Sequence, residues 1–212
     1  GYLMLGLGVA GLTPGLPASA ATSAATFYHL IAHAFFKSAL FMMAGIAIHA
    51  FGTIYMEEMG GLKHVTKATW ALTLILALSL IGIPPFSGFW GKDFIIGSGL
   101  ALGLWGPFLL ALMTVPLTAF YTIRMFGMVF YGDPKSGGHE GVEAKLLLLG
   151  PLAVLAILSL ALGAAGPLII PGLADGFRSM MASYVGVHTT ASYGPGYYWP
   201  GILTEMAEHI PS

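Results

Sequence analysis

Apolar runs dominate this chain, and the polar interruptions between them divide it into helices long enough to cross a bilayer. About 20 apolar residues, each rising about 1.5 Å along the helix, span a hydrocarbon core. On that measure the pattern predicts a helix over 1–12, a Pro/Gly/Ser/Ala turn from Thr13 to Thr22, and a long helix over 23–51. A polar connector follows, holding Glu57, Glu58, Lys63, His64 and Lys67. The next apolar segment, 68–101, is too long for one straight helix and is interrupted at Gly82-Ile-Pro-Pro-Phe-Ser-Gly88. Pro84 and Pro85 lack backbone N–H donors and clash with the preceding turn, so they break or kink a helix there. Further helices are predicted over 106–131 and 145–170, separated by a hydrophilic loop at 132–144. The tail 171–212 is rich in Gly, Pro and Tyr and reads as irregular, with a short polar helix near Leu203–His209. The expected fold is all-α: a polytopic membrane helix bundle over 1–170 with one Pro-broken helix, then the tail.

Composition sharpens this picture. The 212 residues are 57% hydrophobic and only 8% charged, against roughly 25% charged in a soluble domain. A net charge of −1 with 8 Lys+Arg leaves no basic face for nucleic acid. The absence of cysteine removes disulfides, thiolate metal sites and iron–sulfur clusters. Neither a nucleophile elbow nor a metal motif is present, and no cofactor is expected in this chain. Gly1–Leu12 reads as the end of a helix already under way, so the chain is expected to be a fragment or one half of a split protein. The connectors 52–67 and 132–145 carry Lys63, Lys67, Lys135 and Lys145, whereas 13–22 and 102–105 carry no lysine or arginine. The positive-inside rule therefore predicts a cytoplasmic location for the first pair, with the tail outside.

Against this apolar background a few polar residues stand out. His29, His33 and Lys37 recur every four residues along one stripe of the second helix. Such groups are expensive in hydrocarbon, and an intramembrane ionisable residue marks a functional site by default. Lys37 falls near mid-membrane, too deep to reach the interface without strain. Burial of an ammonium makes giving up its proton less costly, which suits a proton carrier. The plainer alternative is a lysine paired permanently with a carboxylate on another helix. Histidine relays protons through its two ring nitrogens. A metal shared at i, i+4 is disfavoured here, because no carboxylate or cysteine lies nearby and Lys37 would repel a cation. His49, three turns beyond Lys37, is a further candidate for the pathway or an interfacial residue. Lys92 and Asp93 follow the Pro84-Pro85 break, and breaks at membrane depth mark ion sites in transporters. Arg124 reads as an interfacial snorkelling residue. Glu140, Glu143 and His139 read as part of a solvated connector.

The phrases His-Leu-Ile-Ala-His-Ala-Phe-Phe-Lys-Ser-Ala-Leu-Phe (29–41), Met59-Gly-Gly-Leu62 and Gly-Ile-Pro-Pro-Phe-Ser-Gly-Phe-Trp-Gly-Lys-Asp (82–93) together resemble the antiporter-like membrane subunits of respiratory complex I. The resemblance covers roughly residues 1–170, and Tyr121–Leu149 is most similar to the distal, L-type member. Related chains occur in membrane-bound hydrogenases and multisubunit cation/proton antiporters. The resemblance implies a fold of two inverted five-helix repeats, each with one discontinuous helix, of which the first repeat is absent here. It implies that His29, His33 and Lys37 match the central proton relay and that Lys92 with Asp93 matches the exit toward the outside. It further implies a non-redox, proton-translocating subunit in a prokaryotic cell membrane, among other membrane subunits of a complex I-like NADH:quinone oxidoreductase. The resemblance also leaves this chain without the family's proton-uptake half-channel and its long lateral helix.

Overall fold

In the computed structural model, residues 1–12, 17–133 and 146–185 are described, and they form seven α-helices. These are α1 (Tyr2–Leu12), α2 (Pro17–Phe51), α3 (Leu62–Val65), α4 (Lys67–Ile81), α5 (Ser87–Ala101), α6 (Trp105–Phe130) and α7 (Leu146–Val185). A 3₁₀ turn at Met56–Glu58 lies in the polar connector before α3. The all-helical expectation holds among the described residues. Three stretches, 19–51, 105–130 and 149–180, are long and apolar enough to cross a membrane by length and composition.

Two boundaries differ from the sequence expectation. The turn expected through Thr22 gives way to helix from Pro17 onward. Proline at a first helical position has its φ already set and forfeits no bonded N–H, so it starts a helix without penalty. The tail expected to be irregular from 171 is helical as far as Val185. Pro171-Gly172 reads as a stop signal in water. In an apolar setting, continuing the backbone ladder past a proline is cheaper than leaving a whole turn of polar groups unsatisfied. Of the hydrophilic loop expected at 132–144, residues 134–144 lie outside the described residues, as does the short helix expected near Leu203–His209.

The break expected at 82–88 separates α4 from α5. Gly82 terminates α4 in the left-handed region (φ 89°), which only glycine adopts without strain. The Gly82 and Ile83 amides both donate to the Leu78 carbonyl, at 3.0 and 3.2 Å, in a glycine-capped helix ending. With no N–H on either proline, α5 starts afresh at Ser87.

The chain divides into two compact units, with α2, α5, α6 and α7 contributing segments to each. Among the described residues, one unit comprises 1–12, 17–31, 90–114 and 165–185. Here Ala24 and Ala174 are buried with Ala21, Leu173 and Phe177 around them, and Phe27 meets Phe177 edge to face at 6.2 Å. Gly6 of α1 lies directly against Thr26, where an added Cβ would collide with the threonine hydroxyl. The other unit comprises 32–89, 115–133 and 146–164. Its core gathers Met43, Ala47, Phe51, Met59, Leu62, Ala77, Phe126 and Phe130. The Met59-Gly-Gly-Leu62 phrase has a structural use in this unit. A Cβ on Gly60 would stand 2.6 Å from the Asp133 carbonyl, Gly61 has φ 73°, and its amide donates to the Tyr131 carbonyl at 3.2 Å. Lys63 then lies between Trp70 and Tyr131, at 4.6 and 4.8 Å from their ring centres. This cation–π clamp holds the connector to the end of α6.

Candidate functional site

Within the first unit, three of the sequence-predicted residues come from two helices. His29 on α2 is 2% exposed and Lys92 on α5 is 6% exposed, while Asp93 is half-buried beside it in sequence. Their backbones approach at Gly91, where an added Cβ would stand 2.6 Å from the His29 Cβ and 2.9 Å from Nδ1. Glycine is needed there so that α5 can lie against the imidazole. The aromatic ring of Tyr2, on α1, serves both residues. The Tyr2 and His29 rings meet edge to face with centroids 6.1 Å apart, and the Lys92 Nζ stands 5.4 Å from the Tyr2 centroid. The phenol is fixed at its far end on α6: its hydroxyl donates to the Ala111 carbonyl at 3.1 Å and lies 2.5 Å from Thr114 Oγ1. A lysine that could otherwise seek the interface is thus received inside by the negative face of a ring.

In the second unit, His33 stacks edge to face on Phe36 at 5.3 Å, and the Lys37 Nζ stands 5.1 Å from the Phe41 ring centre. Both His33 and Lys37 are partly buried. Among the described residues no ion pair to Lys37 is seen; one joins Asp175 and Arg178 within α7. His49 is exposed near the end of α2 and Arg124 is exposed on α6, as interfacial residues would be. No group of three or more metal-ligating side chains occurs among the described residues.

The break itself has partners that the sequence did not announce. Ser79 at the end of α4, Ser87 at the start of α5 and Ser159 on α7 are fully buried. Ser159 Oγ lies 3.0 Å from Ser79 Oγ and 2.8 Å from Ser87 Oγ, so one hydroxyl joins both halves of the broken helix. One turn along α7, a Cβ on Gly163 would stand 2.5 Å from the Pro85 carbonyl and 2.7 Å from the Ser87 amide nitrogen. A Cβ on Gly88 would run into the Ser79 carbonyl. The two half-helices and α7 therefore meet at backbone distance.

These features coincide with a family match: the family described as NADH:quinone oxidoreductase/Mrp antiporter, transmembrane, covers residues 1–121. The chain belongs to this family. F(420)H(2) dehydrogenase subunit L of Methanosarcina mazei is 42% identical over 174 residues, covering 77% of this chain and 25% of the relative. NADH-quinone oxidoreductase subunit L of Campylobacter jejuni is 42% identical over 135 residues, 62% of this chain and 23% of the relative. The Mycobacterium tuberculosis protein of the same name is 35% identical over 198 residues, 91% of this chain and 29% of the relative. The chain thus spans about a quarter of the length of the curated relatives it matches. Among solved structures, the Mrp complex from Dietzia sp. DQ12-45-1b shares the fold, with a TM-score of 0.68 at 22% identity over 97% of this chain and 42% of that one.

As a member of the NADH:quinone oxidoreductase/Mrp antiporter family, the chain is a membrane protein, and its relatives are named as subunits of larger enzymes. The family match contains every residue from Tyr2 to Lys92 and Asp93. It stops short of Ser159, which composition alone gave no reason to single out among the serines of an apolar helix. Tyr2 was likewise invisible as a site residue, because an aromatic in a membrane helix is ordinarily packing material.

Proposed function

We propose that this chain is part of a proton-translocating membrane subunit of a complex I-type oxidoreductase, and that it carries no redox centre itself. Protons move along the α2 stripe of His29, His33 and Lys37, and leave by Lys92 and Asp93 toward the outside. The observation that carries this reading is the shared use of Tyr2 by His29 and Lys92, a buried imidazole and a buried ammonium drawn to one ring. Neither side chain has reason to be buried in an apolar bundle unless it handles charge. The setting is a prokaryotic cell membrane, with connectors 52–67 and 132–145 on the cytoplasmic side. Its partners are the other membrane subunits of the assembly, and redox chemistry elsewhere in that assembly drives transport. Moving one charge against 100 mV takes about 2.3 kcal/mol, so modest changes in the protonation free energy of a buried lysine suffice to couple the two.

Lys37→Ala tests the relay. In inverted membrane vesicles it is expected to lower donor-driven proton translocation roughly tenfold or more, equivalent to at least about 1.4 kcal/mol on the limiting transfer, with the subunit still assembled. Wild-type translocation by an assembled Lys37→Ala complex overturns the relay. A second reading, cation/proton exchange within a multisubunit antiporter, has the fold of the Mrp complex in its favour. A sodium-dependent pH change in vesicles lacking any electron donor would select it.

A further inference from the structure

The ring of Tyr2 does more in this unit than fill space, and its role depends on the proposed proton pathway through His29 and Lys92. Three helices bring different atoms to it. Lys92 of α5 places its Nζ 5.4 Å from the ring centre, within the range of a cation–π contact. His29 of α2 meets the ring at 75° between planes, edge to face. Ala111 and Thr114 of α6 hold the hydroxyl, which lies 3.1 Å from the Ala111 carbonyl and 2.5 Å from Thr114 Oγ1. The hydroxyl contacts fix the ring in position, and its face is then offered to the ammonium. Without it, the flexible four-carbon stem of Lys92 loses one of the contacts that orient it.

We propose that Tyr2 is a positioning residue of the proton pathway, whose ring face holds the Lys92 ammonium and whose hydroxyl only fixes the ring. The division of labour makes an ordered set of expectations. Tyr2→Phe keeps the face and loses the two hydroxyl contacts, so translocation per electron transferred stays within about twofold of wild type. Tyr2→Leu removes the face, and the ratio falls roughly tenfold, the scale of a desolvated cation–π contact. Tyr2→Met gives a second ring-free side chain of flexible shape, should the leucine variant not assemble. Combining Tyr2→Leu with Lys92→Met costs no more than Lys92→Met alone, because both remove the same held charge.

The measurement is donor-driven acidification of inverted vesicles divided by electron-transfer rate, in the assembled complex carrying the whole subunit, with subunit abundance followed by immunoblot. Normalising to electron transfer removes the effect of mere loss of assembled protein. Wild-type ratios in the assembled Tyr2→Leu and Tyr2→Met variants, beside a lowered ratio in Lys92→Met, overturn the role of Tyr2 and leave the pathway standing. Equal losses in Tyr2→Phe and Tyr2→Leu also overturn it, since the hydroxyl and not the face would then matter. An unchanged ratio in Lys92→Met overturns the pathway itself, and the role of Tyr2 with it.

Discussion

At the scale of single residues, the charged positions could be read from the sequence and their partners could not. His29, Lys37, Lys92 and Asp93 announce themselves because each is costly in an apolar run. Gly91 and Tyr2 carry no such signal: their importance depends on which helices come together. Gly91 offers a direct check. A methyl group there would stand 2.6 Å from the His29 Cβ, so Gly91→Ala forces α5 and the imidazole apart. Overpacking of this kind typically costs about 1–3 kcal/mol. The expected outcome is a subunit that still inserts, has a lowered melting temperature in detergent, and translocates fewer protons per electron. A variant with wild-type melting and wild-type translocation would show that His29 needs no fixed backbone beside it.

At the scale of elements, the helix break was legible because two prolines in a row cannot continue a helix. What holds the break together was not, because its counterpart lies 72 residues away on α7, where Ser159 meets Ser87. Hydroxyls in a helix usually bond their own preceding turn, as Thr26 does to the Thr22 carbonyl at 2.7 Å. Ser159 instead reaches across to two other elements. Removing it leaves two buried hydroxyls without that shared partner, at a cost of about 1–3 kcal/mol. Ser159→Ala should therefore raise hydrogen–deuterium exchange in the segment 83–89 relative to the rest of α4 and α5. Unaltered exchange there would mean that close backbone packing alone holds the break. α7 runs beyond the length its sequence suggests for a related reason: the proline stop rule holds for chains surrounded by water, and apolar surroundings weaken it.

At the scale of the whole molecule, the class and the membrane setting followed from composition and segment length, and the lysine distribution supplied an orientation. The exposed stripe of α6, with Leu110, Met113, Leu117 and Phe120 at 68%, 68%, 62% and 65%, suits contact with lipid tails. The proposed orientation is open to a simple check, since the chain has no native cysteine. A single cysteine at Lys135 should react with a membrane-impermeant maleimide only from the cytoplasmic side, and one at Leu102 only from the outside. The reverse pattern would invert the direction of transport.

The seat of Pro85 on Gly163 limits how α7 can move against the helix break. A helix that ratchets by one turn relative to its surroundings exchanges each residue for one about four positions away. For α7 that would bring Ser159 or Pro167 to the place of Gly163. Both possess a Cβ, and a Cβ at that place would stand 2.5 Å from the Pro85 carbonyl. Stepwise sliding of α7 past the break is therefore sterically closed, and the register between Gly163 and Pro85 is fixed by the absence of a side chain.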